Sequence, residues 1–337
     1  MPEKRNIHLR ISALALPLFI GIALMVPAAC TEKAPDAASI AADAAAAKAE
    51  QDAAADAALA AAKASRGLGE PAVWIVSDED TTLYIMGTVH LLRPGLEWRS
   101  EEIDAAMQAA DTLVFEADVS SPEAGAEMMK FVSEKGLFAN GGQLTNLLDE
   151  SEKIELQAAL DYVGLPLGAV QNMRPWFAAI NLSVMQMQKD GFDPNSGVEQ
   201  VLMAEGRVDG KAFAYLETVD EQLGRLASLP DDVQVDFLIS SAESIDEGAD
   251  MLDTLVDEWA DGDVNGLGLL LANPEMMGSD AVYGALLKDR NAIWAPKIAA
   301  MLDEPGTRLI AVGAGHLAGD DSVIAMLREQ GLEVTGP

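Results

Sequence analysis

Apolar positions along this chain follow two rhythms. Residues 72–76 and 82–86 are short runs of apolar and β-branched residues separated by Ser77-Asp78-Glu79-Asp80, and the pair predicts a hairpin. From 100 to 110 the spacing becomes helical. Ile103, Ala106, Met107 and Ala110 share a face, Ser100 stands at the N-cap, and Glu101 and Glu102 fill the first turn. Residues 112–115 predict a third strand that runs into Glu116-Ala117-Asp118. From Ser121 to about Ala300 the pattern is mostly helical, with amphipathic segments at 122–135, 151–163, 175–189, 198–206, 219–228, 231–246, 248–261 and 279–302. One short run, 212–216, reads as a strand within that region. Breaks fall at Gly141-Gly142, 164–166, 193–197, Pro230 and Pro305-Gly306. Near the end, 308–312 reads as a buried strand, 321–330 as a helix stopped by Gly331, and Leu332-Glu333-Val334 as a last strand. Strands at both ends and helices between predict an α/β domain. Its mixed sheet is built from N- and C-terminal strands and carries a large helical insertion.

The first 68 residues follow neither rhythm. Lys4, Arg5 and Arg10 precede an uncharged apolar run at 11–26, of about 16 residues, and then small residues, the pattern of an export signal over 1–30. The run is short for a spanning helix and contains Pro17 and Gly21. Val26-Pro27-Ala28-Ala29-Cys30 resembles a bacterial lipobox, with Pro27 where that pattern has an aliphatic residue. The expectation is a lipoprotein acylated on Cys30, with Thr31 pointing to the outer membrane and the periplasm as its setting. Simple periplasmic export and an uncleaved anchor are the alternatives. Residues 31–68 are Ala-rich without an apolar stripe and read as a linker, which leaves 69–337 as the folded domain.

Charge and composition narrow the chemistry. Asp and Glu number 55 against 22 Lys and Arg, a net charge of −33, which argues against nucleic acid as a partner. The five tryptophans are scattered, with no stacking stripe. One cysteine excludes a disulfide framework and a Cys-based zinc site. The three histidines are His8, in the leader, His90 and His316. His90 and His316 share a context: an apolar strand, Gly at −3, two small or β-branched residues, then His. Glycine accepts positive φ, so each strand is expected to turn sharply and hold its imidazole over the carboxyl edge of the sheet, where open α/β sheets bind ligands. Glu116 leaves the third strand in the same way. Two imidazoles and a carboxylate suffice for a catalytic divalent ion with open positions. Asp118, on the same strand side as Glu116, reads as a solvated strand-end acid, and Glu199 and Glu217 read as ordinary helix and turn acids. Arg290 reads either as a surface charge or as a group that binds a substrate carboxylate or steadies an oxyanion. No phosphate loop, HExxH or GxSxG is present.

Taken in order, these motifs resemble the TraB/GumN family, which is related to the Tiki metalloproteases. Gly87-Thr88-Val89-His90 and Gly313-Ala314-Gly315-His316 resemble its paired GxxH motifs, and Phe115-Glu116-Ala117-Asp118 falls at its acidic residue. Gly197-Val198-Glu199 resembles its Gly-Val-Asp, with Glu for Asp. Leu216-Glu217-Thr218 with Gln222, and Arg290-Asn291, resemble two further stretches. The resemblance implies the fold shared with erythromycin-esterase-like and ChaN-like proteins. It also implies a metal-dependent hydrolase, a peptidase acting on a peptide or protein substrate. On that reading His90, His316 and Glu116 hold Mn, Co or Zn. Glu116 or Glu199 serves as general base, and Arg290 and Asn291 stabilise developing negative charge. The rivals are a haem- or metal-binding envelope lipoprotein and a metal-free hydrolase that uses His and Glu as acid and base. The substrate, the metal and the oligomeric state stay open.

Overall fold

A computed structural model describes residues 70–139, 141–245, 248–271 and 279–337. The leader, Cys30 and the linker lie outside the described residues. The hairpin forms as expected: β1 (Val73–Ser77) pairs antiparallel with β2 (Thr81–Thr88). Its turn is closed by Asp78, whose carboxylate accepts from the amides of Asp80 and Thr81 at 3.1 and 2.9 Å. Helix α1 (Glu101–Ala109), capped by Ser100, leads to β3 (Thr112–Phe115). The insertion then runs through α2 (Pro122–Phe131), α3 (Glu150–Val163), α4 (Pro175–Lys189) and α5 (Val198–Val208) to β4 (Ala212–Tyr215). It continues through α6 (Val219–Ala227), α7 (Asp231–Glu243), α8 (Gly248–Ala260) and α9 (Val264–Leu271). The chain returns through α10 (Asp280–Tyr283), a π-turn (Gly284–Lys288) and α11 (Asp289–Ala299) to β5 (Gly306–Gly313) and α12 (Val323–Glu329).

The strand order is β1-β2-β5-β3-β4, and every pairing except β1–β2 is parallel. The C-terminal strand therefore lies in the centre, between strands from the N-terminal part, so the expected mixed sheet is present. Both faces of β2, β5 and β3 are largely buried, which is why these strands read as nearly continuous apolar runs, whereas the edge strand β4 is partly exposed. Leu113, Phe115, Leu309 and Ala311 face the large core shared with the insertion. Val114, Ile310, Val312, Leu83 and Ile85 face a smaller core closed by Trp294, Ile298, Val323 and Leu327. Helix α4 is the spine of the insertion, buried on nearly every side.

Some elements differ from the sequence expectation. The segment 122–135 ends as α-helix at Phe131 and closes in a π-turn, and 279–302 divides into several helical pieces. Leu332-Glu333-Val334 forms no strand; Thr335 alone bridges Ile75, because Gly331 and Gly336 take φ values of 85° and 140° on either side. Helix α9 has no counterpart among the expected elements. Its Val-Asn-Gly-Leu-Gly-Leu-Leu-Leu holds two glycines and no polar face, so no amphipathic period marks it.

Candidate functional site

Three parallel strands end side by side. In the register of β2 and β5, Thr88 stands opposite Gly313, so His90 and His316 leave neighbouring strands at the same edge. Phe115 of β3 pairs with Ala311 of β5, which brings Glu116 to that edge as well. Neither glycine before a histidine makes a left-handed turn, and Gly87 serves closeness instead. Gly87 lies within β2, and Gly313 has φ −51°. A Cβ on Gly87 would come within 3.0 Å of Cα and Cβ of Ala314. The expectation of positive φ at these two positions is corrected accordingly.

Glu116, 5% exposed, is held at both oxygens. Its Oε1 accepts from the Gly313 amide at 2.8 Å, and its Oε2 accepts from Arg290 Nη2 at 2.5 Å and Gln222 Nε2 at 3.0 Å. Arg290, 1% exposed, also donates to Glu217 Oε1 through Nε and Nη2, at 2.9 and 2.6 Å. Its Nη1 reaches the Leu286 carbonyl in the π-turn at 2.8 Å and His316 Nε2 at 2.9 Å. The guanidinium lies 4.5 Å from the Trp294 ring, and the Trp294 indole N–H donates to Glu217 Oε2 at 3.2 Å. His316 is fully buried, with Nδ1 2.5 Å from Asn291 Oδ1. Asn291 Nδ2 in turn donates to the Asp321 carbonyl at 2.8 Å.

Burial, the positive charge of Arg290 and that of His90 all push the His316 imidazole well below its ordinary pKa. Burial raises the Glu217 carboxyl, with Arg290 opposing. Burial would lower Arg290, but Glu116 and Glu217 outweigh it and hold the guanidinium above its ordinary value.

His90 stands in a second cluster. Its Nδ1 lies 2.6 Å from Glu199 Oε1, and Thr88 Oγ1 donates to the same oxygen. Burial would raise the Glu199 carboxyl, yet the charge and hydrogen bond of His90 and the Thr88 hydroxyl hold it below its ordinary value. Glu199 sits in the first turn of α5, where the helix dipole favours an anion. The helix is docked on the histidine's own backbone. The Val198 amide donates to the Val89 carbonyl at 3.0 Å, and a Cβ on Gly197 would lie 2.1 Å from the His90 carbonyl oxygen.

A cavity of about 230 Å³ joins the two clusters, with His90, Glu199, Glu116 and Gln222 in its walls. Leu91, Phe115, Val184 and Met203 form its buried apolar sides, and Val119, Gln188 and Gln200 stand at the exposed mouth.

Of the expected site residues, Glu116, Arg290, Asn291 and His316 meet in one network, and His90 meets Glu199. Glu116 belongs to the network and also lines the cavity. Asp118 instead closes a loop, accepting from the Ser120 and Ser121 amides at 3.0 Å. Glu217, read as an ordinary turn acid, is a buried partner of Arg290. Arg290 is neither at the surface nor facing the cavity, since its donors are taken by Glu116, Glu217, Leu286 and His316. Thr88, Gln222 and Trp294 were not singled out as site residues. The motif Leu216-Glu217-Thr218 with Gln222 was the sequence signal for Glu217 and Gln222.

A cation held jointly by His90, His316 and Glu116 needs one lone pair from each aimed at a single point. Here His316 Nε2 is aimed at Arg290, and Glu116 Oε1, 3.6 Å from that nitrogen, accepts from the Gly313 amide. Among the described residues no three His, Cys, Asp or Glu side chains gather as a cation site. In this arrangement the trio does not fit the ion.

Comparison with known proteins gives a consistent picture. The chain is 26% identical over 261 residues to the uncharacterised protein YbaP of Escherichia coli (strain K12), a span of 77% of this chain and 92% of that protein. YbaP of Shigella flexneri is equally similar, at 26% over 261 residues. No solved structure matches. The model of the TraB/PrgY/gumN family matches residues 72–336, which take in all five strands and every residue of both clusters. The chain belongs to the TraB/PrgY/gumN family.

Proposed function

We propose that the chain is a hydrolase of acyl bonds, a peptidase of the cell envelope, and that it reacts in the cavity where β2 and β3 end. The contact between His90 Nδ1 and Glu199 Oε1, 2.6 Å at the cavity wall, carries this reading. A histidine that gives its Nδ1–H to a carboxylate has its basic lone pair on Nε2 when neutral. His90 takes a proton from water as the water oxygen attacks the substrate carbonyl, and Glu199 stabilises the imidazolium. The C–N bond then breaks as His90 returns the proton to the leaving amine. General acid–base help of this kind is worth roughly 10²–10⁴ in rate. The cavity suits one small apolar side chain. Its 230 Å³ lies below the roughly 300–1,000 Å³ usual for cofactor-sized ligands, which weighs against haem. The envelope setting is supported by the export pattern of 1–30 and by Cys30.

The test is cleavage of a mixed peptide library by the full chain, followed by mass spectrometry. Cleavage that persists in excess chelator and disappears in His90→Ala supports the reading. Cleavage that stops in chelator and returns with Mn²⁺, Co²⁺ or Zn²⁺ selects the metal-dependent form, in which Arg290 must release His316. Absence of cleavage together with a Soret band on adding haem selects a binding protein.

A further inference from the structure

We propose that the two strand-end histidines have different roles: His90 belongs to the reacting half, and His316 is a positioning residue, an imidazole protonated on Nδ1 that locks the Arg290 guanidinium between Glu116 and Glu217. Donor and acceptor chemistry fixes the assignment. Arg290 Nη1 lies 2.9 Å from His316 Nε2, and a guanidinium only donates, so Nε2 carries its lone pair there. The single ring proton is then on Nδ1, 2.5 Å from Asn291 Oδ1. The orientation of Asn291 is set independently, because its Nδ2 donates to the Asp321 carbonyl at 2.8 Å and leaves Oδ1 to accept. Reversing any link sets two donors or two acceptors face to face, in a site where His316 and Arg290 are 0% and 1% exposed.

The lock reaches the cavity through Glu116. Arg290 ties its Oε2, the Gly313 amide ties its Oε1, and the same carboxylate lines the cavity wall. That the lock serves the reaction rests on the hydrolase reading; the tautomer does not. A metal-ligand role for His316 would need Nε2 taken from Arg290, or the Nδ1 proton taken from Asn291.

The experiment is a long-range ¹H–¹⁵N spectrum of the labelled full chain, with and without stoichiometric Zn²⁺. The expected result is a protonated, pyrrole-type Nδ1 and a pyridine-type Nε2 on His316, unmoved by zinc. The opposite tautomer, or a zinc-induced shift of either His316 nitrogen, overturns the proposal. A pair of variants gives a second reading. In His316→Gln the amide can accept from Arg290 and donate to Asn291, whereas in His316→Leu the volume is kept and both bonds are lost. The Leu variant is expected to melt more than about 5 °C below the Gln variant, because a buried charged donor is left bare. Equal melting temperatures overturn the lock. If the wild type cleaves no peptide, the hydrolase reading fails while the spectrum and the melting temperatures still decide the tautomer.

Discussion

Glu116 is bonded to Arg290 and also lines the cavity that His90 and Glu199 line, and its charge is what the Arg290 network needs. In Glu116→Gln the shape stays, but Arg290 keeps only Glu217 as a counter-ion, and one Gln amide edge opposes a donor from Arg290 or Gly313. Breaking one side of a buried pair of this kind costs about 3–5 kcal/mol. Urea unfolding of Glu116→Gln is expected to show a loss in that range, and an unchanged midpoint would mean that Arg290 is adequately neutralised by Glu217 alone. His316 supplies a pH-dependent term. Its imidazole is held well below its ordinary range by burial, with Arg290 and His90 adding to the shift. The unfolded chain therefore binds a proton at His316 below about pH 6.5 that the folded chain refuses. The stability contribution is complete above that pH and falls as pH drops, by up to about 1.4 kcal/mol per unit until the folded pKa is reached. His316→Gln removes the term, so its stability curve should be shallower than wild type between about pH 6.5 and 5. Parallel curves would show that His316 accepts a proton as readily inside the fold as outside it.

The helix that delivers Glu199 is as specific as the carboxylate itself. A methyl group on Gly197 would meet the His90 carbonyl oxygen at 2.1 Å, so α5 and the His90 segment must separate. Gly197→Ala is expected to cost about 1–3 kcal/mol of stability by overpacking. A displacement of about 1 Å between base and carboxylate can lower turnover about 10²-fold. Gly224→Ala in α6 meets nothing within 4 Å and should stabilise by about 0.5–1 kcal/mol. If the two variants behave alike, close packing of α5 is not what sets the His90–Glu199 contact. The strand-Gly-x-x-His pairs were legible in the sequence because β2 and β5 are largely buried on both faces, which makes each an apolar run that ends abruptly at its polar residue. Although helix α4 is buried on nearly every side, most helical segments from 151 to 260 were legible because a polar face defines their period. Helix α9 was not, since it lacks such a face. The pairing of Glu217 with Arg290 was not legible either, because 73 positions separate them and no local period carries a contact of that range. The motifs brought His90, Glu116 and His316 to one edge, but nothing in residue spacing tells where a lone pair points. On that point the expected metal trio and the observed guanidinium lock part ways.

For the molecule as a whole, a net charge of −33 bears on how it would sit at a membrane. Anionic lipid surfaces attract basic segments, by about 1 kcal/mol per Lys or Arg, and repel a chain with 55 acidic and 22 basic residues. Among the described residues no helix is long and apolar enough to cross a membrane. Attachment by the folded domain through charge is therefore unfavourable, and the lipoprotein reading places the whole burden on acyl chains at Cys30. One chain gives only marginal binding, at about 0.8 kcal/mol per buried CH₂, and two signals are needed for a stable anchor. Salt separates the possibilities, because screening weakens charge-mediated attachment and leaves acyl anchoring intact. The wild-type protein is expected to stay in the membrane fraction through a high-salt wash, and Cys30→Ala to move to the soluble fraction with its fold unchanged. Release of the wild type by salt would show that an electrostatic contact carries the attachment. Mass spectrometry of a mature chain that begins elsewhere than Cys30, without acyl groups, would reject the anchor and leave Pro27 as the residue that spoils the lipobox pattern.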